Sequence, residues 1–160
     1  MRLTIAAIGR LKSGPEAALV ERYTDLAKGL GRSCSLGPVQ ILEFPEARTP
    51  QRDQRRNDEA KRLLSATKDA SVHVLLDERG NQFSSDDLAS FLSRSRDDGA
   101  REIAFLIGGA DGHGEPARKA CPTTLSLSKL TLPHGLARIM LAEQLYRAIT
   151  IVAGHPYHRA

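Results

Sequence analysis

The sequence predicts an α/β protein with a mostly parallel sheet flanked by helices. Short apolar runs, which are typical of buried strands, alternate along the chain with segments that repeat their apolar residues at helical spacing. The chain has 160 residues and shows no internal repeat, low-complexity tract or linker. Residues 1–160 are therefore predicted to form a single domain.

Five strands are predicted, each from an apolar run that ends at glycine, proline or turn residues. They are Leu3–Ile8, Val39–Phe44, Val72–Leu76, Ile103–Ile107 and Thr124–Leu127. A turn is predicted at Asp77–Asn81, after the third run. His73 lies inside that run, and we expect it to be a core histidine whose hydrogen bonds are satisfied.

Five helices are predicted between and after these strands. Thr49 and Pro50 are expected to be the N-cap and first residue of the second helix, which runs to about Ala66. Ser84 and Ser85 are expected to begin the third helix, which ends near Gly99. The first, fourth and fifth helices are predicted at Pro15–Leu30, Glu115–Cys121 and Gly135–Ala153.

Composition disfavours a membrane-spanning protein, a secreted protein and a disulfide-rich protein. No apolar run approaches the roughly 20 residues that a membrane span needs, and the short apolar start is followed at once by Arg10 and Lys12, so it predicts a strand and no signal peptide. Two distant cysteines, Cys34 and Cys121, do not make a disulfide scaffold, which favours a cytoplasmic location. The net charge of +4 permits a polyanionic partner without requiring one.

Parallel sheets bind ligands beyond the carboxyl ends of their strands, so the positions after Leu76, Ile107 and Leu127 are the candidate sites. The loop Gly108–Gly114 holds four glycines, which would let the backbone approach a ligand closely. An ordinary tight turn is an equal alternative. The loop lacks the Gly-x-Gly-x-x-Gly spacing and follows the fourth strand, so a nicotinamide-dependent oxidoreductase is disfavoured.

The segment Leu127–His134 alternates apolar and small polar residues before Pro133. Such an extended segment offers backbone groups beside small apolar pockets, which suits an adenine ring. Taken alone, an edge strand that leads into the last helix is the commoner arrangement.

Arg138 is predicted inside the apolar face of the last helix and in its first turn, where a cation opposes the helix dipole. Both placements favour a nearby anion, and a side chain that reaches solvent from the helix end is the alternative. Glu143 and Arg147 are spaced as a helical ion pair on the polar face. Leu136, Met140 and Ile151 are apolar beyond the main face, which favours a homodimer.

The tail His155-Pro156-Tyr157-His158-Arg159 is rich in groups that stack on bases or bind phosphate, although a disordered terminus is the alternative. A metal site on His155 and His158 is disfavoured because no third ligand lies nearby in the sequence. The second helix carries an arginine stripe that would suit either an RNA backbone or a solvated face. The stripe consists of Arg52, Arg55, Arg56 and Arg62.

Taken together, the motifs of the chain resemble the large-subunit rRNA methyltransferase H family, a minimal branch of the SPOUT superfamily. The resemblance spans essentially the full length, and it is strongest from Leu75 onward and weak between Gly31 and Ser71. The motifs that carry it are Leu75-Leu76-Asp77-x-x-Gly80, Leu106-Ile107-Gly108-Gly109-x-x-Gly112, Leu127-Ser128-Lys129-Leu130-Thr131-Leu132-Pro133-His134, Glu143-Gln144-Leu145-Tyr146-Arg147-Ala148 and His155-Pro156-Tyr157-His158-Arg159.

The resemblance implies a C-terminal trefoil knot, an obligate homodimer and methylation of N3 of a pseudouridine in 23S rRNA of the large ribosomal subunit. It also implies an S-adenosylmethionine site on three segments, which coincide with the three strand ends identified above. The implied cofactor residues are Leu76, Gly108, Gly109, Leu127, Ser128, Lys129, Leu130, Thr131 and Leu132.

For such a reaction the protein must align N3 with the methyl group and favour loss of the N3 proton. Arg138 is the candidate for stabilising negative charge on the base, and His134 or His158 for accepting the proton. Tyr157 is expected to flank the base and Arg159 to bind phosphate, with the tail folded over the pocket of the partner protomer. A non-catalytic, ribosome-associated RNA-binding factor on the same fold is the alternative function.

Overall fold

A computed structural model of the chain describes residues 1–158. Five strands form one sheet in the order β2-β1-β4-β3-β5, and every neighbouring pair is parallel. The strands are β1 (Arg2–Ile8), β2 (Val39–Phe44), β3 (Val72–Gln82), β4 (Glu102–Ile107) and β5 (Thr123–Ser126). The predicted class, a parallel α/β fold, is confirmed.

Five helices cover the two faces of the sheet. They are α1 (Pro15–Gly31), α2 (Arg52–Ala66), α3 (Ser85–Asp97), α4 (Glu115–Ala120) and α5 (His134–Val152). Short 3-10 turns occupy Arg32–Cys34 and Pro156–His158. No helix in the described part of the chain is long and apolar enough to cross a membrane.

The side chains of β1 alternate between the two faces of the sheet, and each face is covered by its own apolar cluster. Leu3, Ile5 and Ala7 face one apolar cluster, and Ala6 and Ile8 face another on the opposite side of the sheet. Helices α1 and α3 pack against α5 on the first side, and α2 packs against α4 on the second. Strands covered on both faces become nearly continuous apolar runs, which is why the sequence predicted them well.

One local prediction is wrong. Helix α2 begins at Arg52 after Gln51, and the Thr49 hydroxyl donates to Asp58 Oδ2 (3.1 Å) instead of capping the helix. A partner nine positions along the chain outcompeted the local capping signal. The turn predicted at Asp77–Asn81 lies inside β3, at a break in its register with β5. Leu76 and Asn81 both face Leu125, so the chain between them leaves the ladder and returns, and Asp77 Oδ1 accepts from Arg79 N (2.9 Å) there.

Two other local predictions are confirmed. Ser84 caps α3 in a capping box with Asp87, as its sequence indicated. His73 Nε2 lies 3.0 Å from Thr67 Oγ1 and 2.9 Å from Thr67 O, so this histidine has hydrogen-bond partners as expected, although it is half-buried and not part of the core. The trefoil knot that the resemblance implies stays a prediction.

Candidate functional site

A cavity of about 510 Å³ lies at the carboxyl edge of the sheet. Its walls come mainly from residues 76–79 within β3, from the segments that follow β4 and β5, and from the first turn of α5. Eight of the nine cofactor residues expected from the resemblance line it, and Lys129, which is exposed, does not. The eight are Leu76, Gly108, Gly109, Leu127, Ser128, Leu130, Thr131 and Leu132.

The glycine loop turns back on itself and is fixed to helix α2. Gly112 N donates to Gly109 O (2.9 Å), and Gly112 adopts a φ of 77° that favours glycine. Arg55 donates to Asp111 Oδ2 through Nε (2.7 Å) and Nη2 (2.6 Å), and Arg52 Nε lies 3.3 Å from Asp111 Oδ1. The loop therefore presents its backbone to the cavity in a position that α2 holds.

The arginine stripe of α2 is mostly engaged within the protein. Arg52 and Arg55 pair with Asp111. Arg56 pairs with Asp53 (2.8 Å), and Arg62 donates to Pro45 O. Arg52 and Arg55 therefore fix the glycine loop, and all four guanidinium groups already contact a carboxylate or a carbonyl.

His113 links β3, at Leu76, to the end of β4 inside the cavity wall. Its Nε2 lies 2.9 Å from Leu76 O and 3.2 Å from Gly108 N, and only 4% of its surface is exposed. Burial lowers the pKa of His113 to about 4, so the imidazole is neutral at physiological pH. Its Nδ1 has no hydrogen-bond partner among the described residues.

Asp77, directly after the predicted end of the third strand, carries a negative charge in the same wall. Its carboxylate binds Arg118 Nη1 (2.6 Å) and accepts from Arg79 N (2.9 Å). Burial alone would raise the pKa of Asp77, but these contacts outweigh it and hold the pKa below its usual value. The charge of Asp77 is therefore balanced by Arg118 within the wall.

The sequence reasoning missed both groups as site residues. Their position in the sequence was the available signal, because each follows an apolar run that was predicted to be a buried strand.

The segment after β5 is irregular chain, so the edge-strand alternative is wrong for residues 127–133. Ser128 Oγ accepts from Leu130 N (3.0 Å), and Thr131 Oγ1 donates to Glu78 Oε2 (3.3 Å). The first contact is internal to the segment, and the second ties it to β3. Leu130 is 73% exposed at the mouth of the cavity, where a ligand would cover it.

Arg138 is completely buried and does not line the cavity, although His134 and Ala137 on the same helix do. Its guanidinium binds the Glu43 carboxylate through Nη1, and Nη2 donates to Gly9 O (2.8 Å) and Ile8 O (3.1 Å). The expected nearby anion is confirmed, and the alternative of a side chain in solvent is wrong. The position gives Arg138 no direct access to a base in the cavity.

The C-terminal tail packs against its own helix α5. The Tyr157 ring centroid lies 4.6 Å from that of Tyr146, and Arg147 lies 5.0 Å above the Tyr157 ring. Tyr157 Oη donates to Glu143 Oε1 (3.2 Å), which also accepts from Arg147 in the predicted ion pair. Residues Pro156–His158 form a 3-10 turn, so the disordered alternative is wrong for them.

Tyr157 does not line the cavity of its own chain. The side chain of His158 and all of Arg159, both expected at the site, lie outside the described residues. Among the residues that are described, no group of three His, Cys, Asp or Glu side chains is placed to hold a metal ion.

The fold and the cavity define a class of α/β proteins that bind a small ligand at the carboxyl edge of a parallel sheet. Residues 1–158 match the family described as "Predicted SPOUT methyltransferase". The chain therefore belongs to the SPOUT methyltransferase family.

Relatives cover the whole chain. The "Ribosomal RNA large subunit methyltransferase H" proteins of Xanthobacter autotrophicus and Brucella anthropi are each 45% identical over 160 residues, with 100% of both chains covered. Among solved structures, a "Probable Methyltransferase" from Bordetella pertussis matches with a TM-score of 0.53 and 14% identity, covering 92% of this chain and 96% of that one. A probable methylase family protein from Haemophilus influenzae matches with a TM-score of 0.54 and 12% identity, covering 99% and 70%. These structural likenesses show the fold.

Proposed function

We propose that residues 1–160 form a single methyltransferase domain that transfers a methyl group from S-adenosylmethionine to 23S rRNA of the large ribosomal subunit, at N3 of a pseudouridine. The observation that carries the proposal is the cavity, which gathers the three segments expected to bind the cofactor. The relatives named as large-subunit rRNA methyltransferases support the choice of substrate. We place the protein in the cytoplasm, where ribosomes are found.

The cavity fits S-adenosylmethionine in size and in the groups that line it. Its volume of about 510 Å³ is within the range of small-molecule pockets. Leu76, Leu127 and Leu132 offer apolar surface for an adenine ring, and the Gly108–Gly112 backbone offers hydrogen-bonding groups. Neutral His113 avoids repulsion of a sulfonium cation. When bound, the cofactor supplies the electrophilic methyl group.

The residues of this chain would prepare the base for attack. Nitrogen N3 reacts best after losing its proton, so a base positioned beside it accelerates the reaction. His134 is exposed at the cavity wall and is the candidate proton acceptor among the described residues. His158 remains the alternative acceptor, and Tyr157 and Arg159 remain the proposed contacts to base and phosphate.

Geometry within the chain supports a site completed by a second copy. Tyr157 contacts Glu143, nine residues beyond His134 in α5, which corresponds to about 13 Å along the helix axis. The tail is thus held away from its own cavity. We propose that it covers the cavity of the partner in a homodimer.

Labelled methyl transfer to whole ribosomes, to isolated large subunits and to free rRNA, followed by mapping of the product, tests this function. We expect label at a pseudouridine of 23S rRNA. A chain that binds ribosomes yet transfers no methyl to any of the three would instead be a non-catalytic RNA-binding factor.

A substitution in the glycine loop tests the cofactor site. Gly108→Val is expected to weaken S-adenosylmethionine binding at least about 10-fold. A Cβ at Gly108 would lie 3.0 Å from Gly112 C and 3.2 Å from the His113 ring, so the loop must shift. Isothermal titration calorimetry measures the affinity and a thermal melt checks folding. Gly29→Val is the control, since nothing lies within 4 Å of a Cβ there. Wild-type affinity in Gly108→Val would remove this loop from the site.

Sedimentation equilibrium is expected to show a dimer at micromolar concentration. The exposed apolar side chains on α1, α5 and the tail are Leu19, Leu26, Leu136, Met140 and Tyr157, each 37–44% exposed. Leu136→Glu is expected to shift the equilibrium toward monomer because a carboxylate there would lose hydration in the interface. Ala66→Glu, exposed on α2 across the sheet, should leave it unchanged. A monomeric wild-type protein would contradict the proposal.

A further inference from the structure

The loop between β1 and α1, residues 9–14, carries two exposed cations, Arg10 and Lys12, and no acidic residue. Neither cation has an ion-pair partner among residues 1–158. Most arginines that line the cavity are engaged differently, since Arg52 pairs with Asp111, Arg56 with Asp53 and Arg118 with Asp77. Arg79 is the exception, because it is exposed and has no ion-pair partner among residues 1–158. The loop therefore adds two cations available to an external anion beside a cavity whose other arginines are mostly paired.

The loop borders the cavity on the side of helix α5. Gly9 is buried with a φ of 87°, and a Cβ built on it would lie 3.5 Å from the His134 ring and 3.4 Å from Arg138 Nη2. His134 lines the cavity. Arg10 follows Gly9 directly, so the first free cation stands one residue away from the cavity wall.

A buried ion pair fixes the loop in this position. Glu43 Oε1, near the end of β2, binds Arg138 and also accepts from Leu11 N (3.2 Å). Arg138 in turn donates to the carbonyls of Ile8 and Gly9 at the end of β1. Leu11 stands between the two cations, so holding its amide constrains the backbone that carries both. The Glu43–Arg138 pair thus connects two strand ends, the loop and the first turn of α5.

We infer that residues 9–14 bind the phosphate backbone of the RNA substrate beside the target base, and that Glu43 and Arg138 are positioning residues for this contact. The inference rests on the proposed function for the identity of the RNA. Phosphate contacts contribute much of the affinity of proteins for nucleic acids, because bound counterions are released when a cation replaces them. A free lysine or arginine can make that exchange without giving up a carboxylate partner.

Ribosome binding over a salt titration tests the loop. Arg10→Ala with Lys12→Ala is expected to weaken binding about 10-fold or more near physiological salt and to reduce the slope of log K against log salt by about 1 to 2. The matched control is Lys68→Ala with Arg101→Ala, which removes the same two residue types, both exposed, just before strands β3 and β4 at the opposite edge of the sheet. Wild-type slope and affinity in the loop variant, or an equal loss in the control, would overturn the inference.

Kinetics with ribosomes as the varied substrate separate the two proposals. The loop variant should raise KM for ribosomes with kcat and cofactor affinity nearly unchanged. A wild-type protein that binds ribosomes through the loop but transfers no methyl would refute the proposed function and leave the RNA contact standing.

The positioning role has its own variant, Glu43→Gln, which keeps an acceptor for Leu11 N but removes the charge that binds Arg138. We expect it to raise KM for ribosomes several-fold while cofactor affinity stays at the wild-type value. Unchanged KM in a folded Glu43→Gln protein would refute the positioning role. Should this variant unfold, the loop variant, whose side chains are both exposed, still decides whether the loop binds RNA.

Discussion

Removing Tyr157 through Ala160 should lower methyl transfer to ribosomes by about 10²-fold or more, while dimerisation and S-adenosylmethionine binding stay intact. Stacking of an aromatic ring on a base contributes about 1–3 kcal/mol, and the deletion also removes the histidine and arginine proposed to act on the substrate. Within its own chain Tyr157 is held by Glu143, Tyr146 and Arg147, away from the cavity. Filter binding of labelled methyl to ribosomes measures the loss.

Mixed dimers would show which subunit uses the tail. A tail-deleted subunit paired with a Gly108→Val subunit should regain activity, because the intact cavity of the first receives the intact tail of the second. If the tail served its own cavity, that mixed dimer would be inactive. Tyr157→Phe is the matched control for packing, since it keeps the ring against Tyr146 and loses only the hydrogen bond to Glu143. Methylation at the wild-type rate by the truncated protein would show that the tail has no role in the reaction.

Arg138→Ala is expected to destabilise the protein by about 3–5 kcal/mol, the scale of breaking a buried ion pair on one side. The substitution leaves the Glu43 carboxylate without its cation and the carbonyls of Ile8 and Gly9 without their donor. The melting temperature should fall by on the order of 10 °C. Methyl transfer, assayed well below the melting temperature, should fall about 10²-fold because the loop beside His134 loses its position.

The matched control for Arg138 is Arg96→Ala. Arg96 also donates to a carbonyl, that of Cys34, and binds an aspartate, Asp97, whose side chain is 65% exposed. Its removal should cost about 1 kcal/mol or less. Combining Glu43→Gln with Arg138→Met should recover part of the stability, because neither charge is then left alone. If the losses of stability in the two single variants simply added in the double variant, Arg138 and Glu43 would not act as an ion pair.

Secondary structure was predicted correctly from the sequence wherever a single segment contains all the residues of the pattern. Apolar runs identified all five strands, because a strand that is buried on both faces consists mostly of apolar residues. Helical spacing identified all five helices, because a helix that is buried on one face repeats its apolar residues along that face. The prediction failed to extend the third strand past Leu76, because the pairing of Asn81 and Gln82 with β5 depends on a distant segment. It also failed at Thr49, because the Thr49 hydroxyl donates to the side chain of Asp58, nine positions along the chain.

The candidate site was predicted in part. The three strand ends converge on one cavity because parallel strands share a carboxyl edge, and this follows from topology alone. Glu43 could not be assigned to Arg138 from the sequence, since 95 residues separate them. The ion pairs of Arg52 and Arg55 in α2 could not be predicted either, because their partner Asp111 reaches them only when the glycine loop folds against the helix.

The sequence alone predicts the alternation of strands and helices, the carboxyl edge as the location of the site and the family resemblance. Only the folded chain shows which charges are paired. In it Arg138 is a buried link to Glu43 and to the end of β1, and this arrangement led us to propose the β1–α1 loop as the RNA contact. The physical reason is that hydrophobic pattern is local in sequence, whereas the pairing of a charge depends on atoms that meet only after folding.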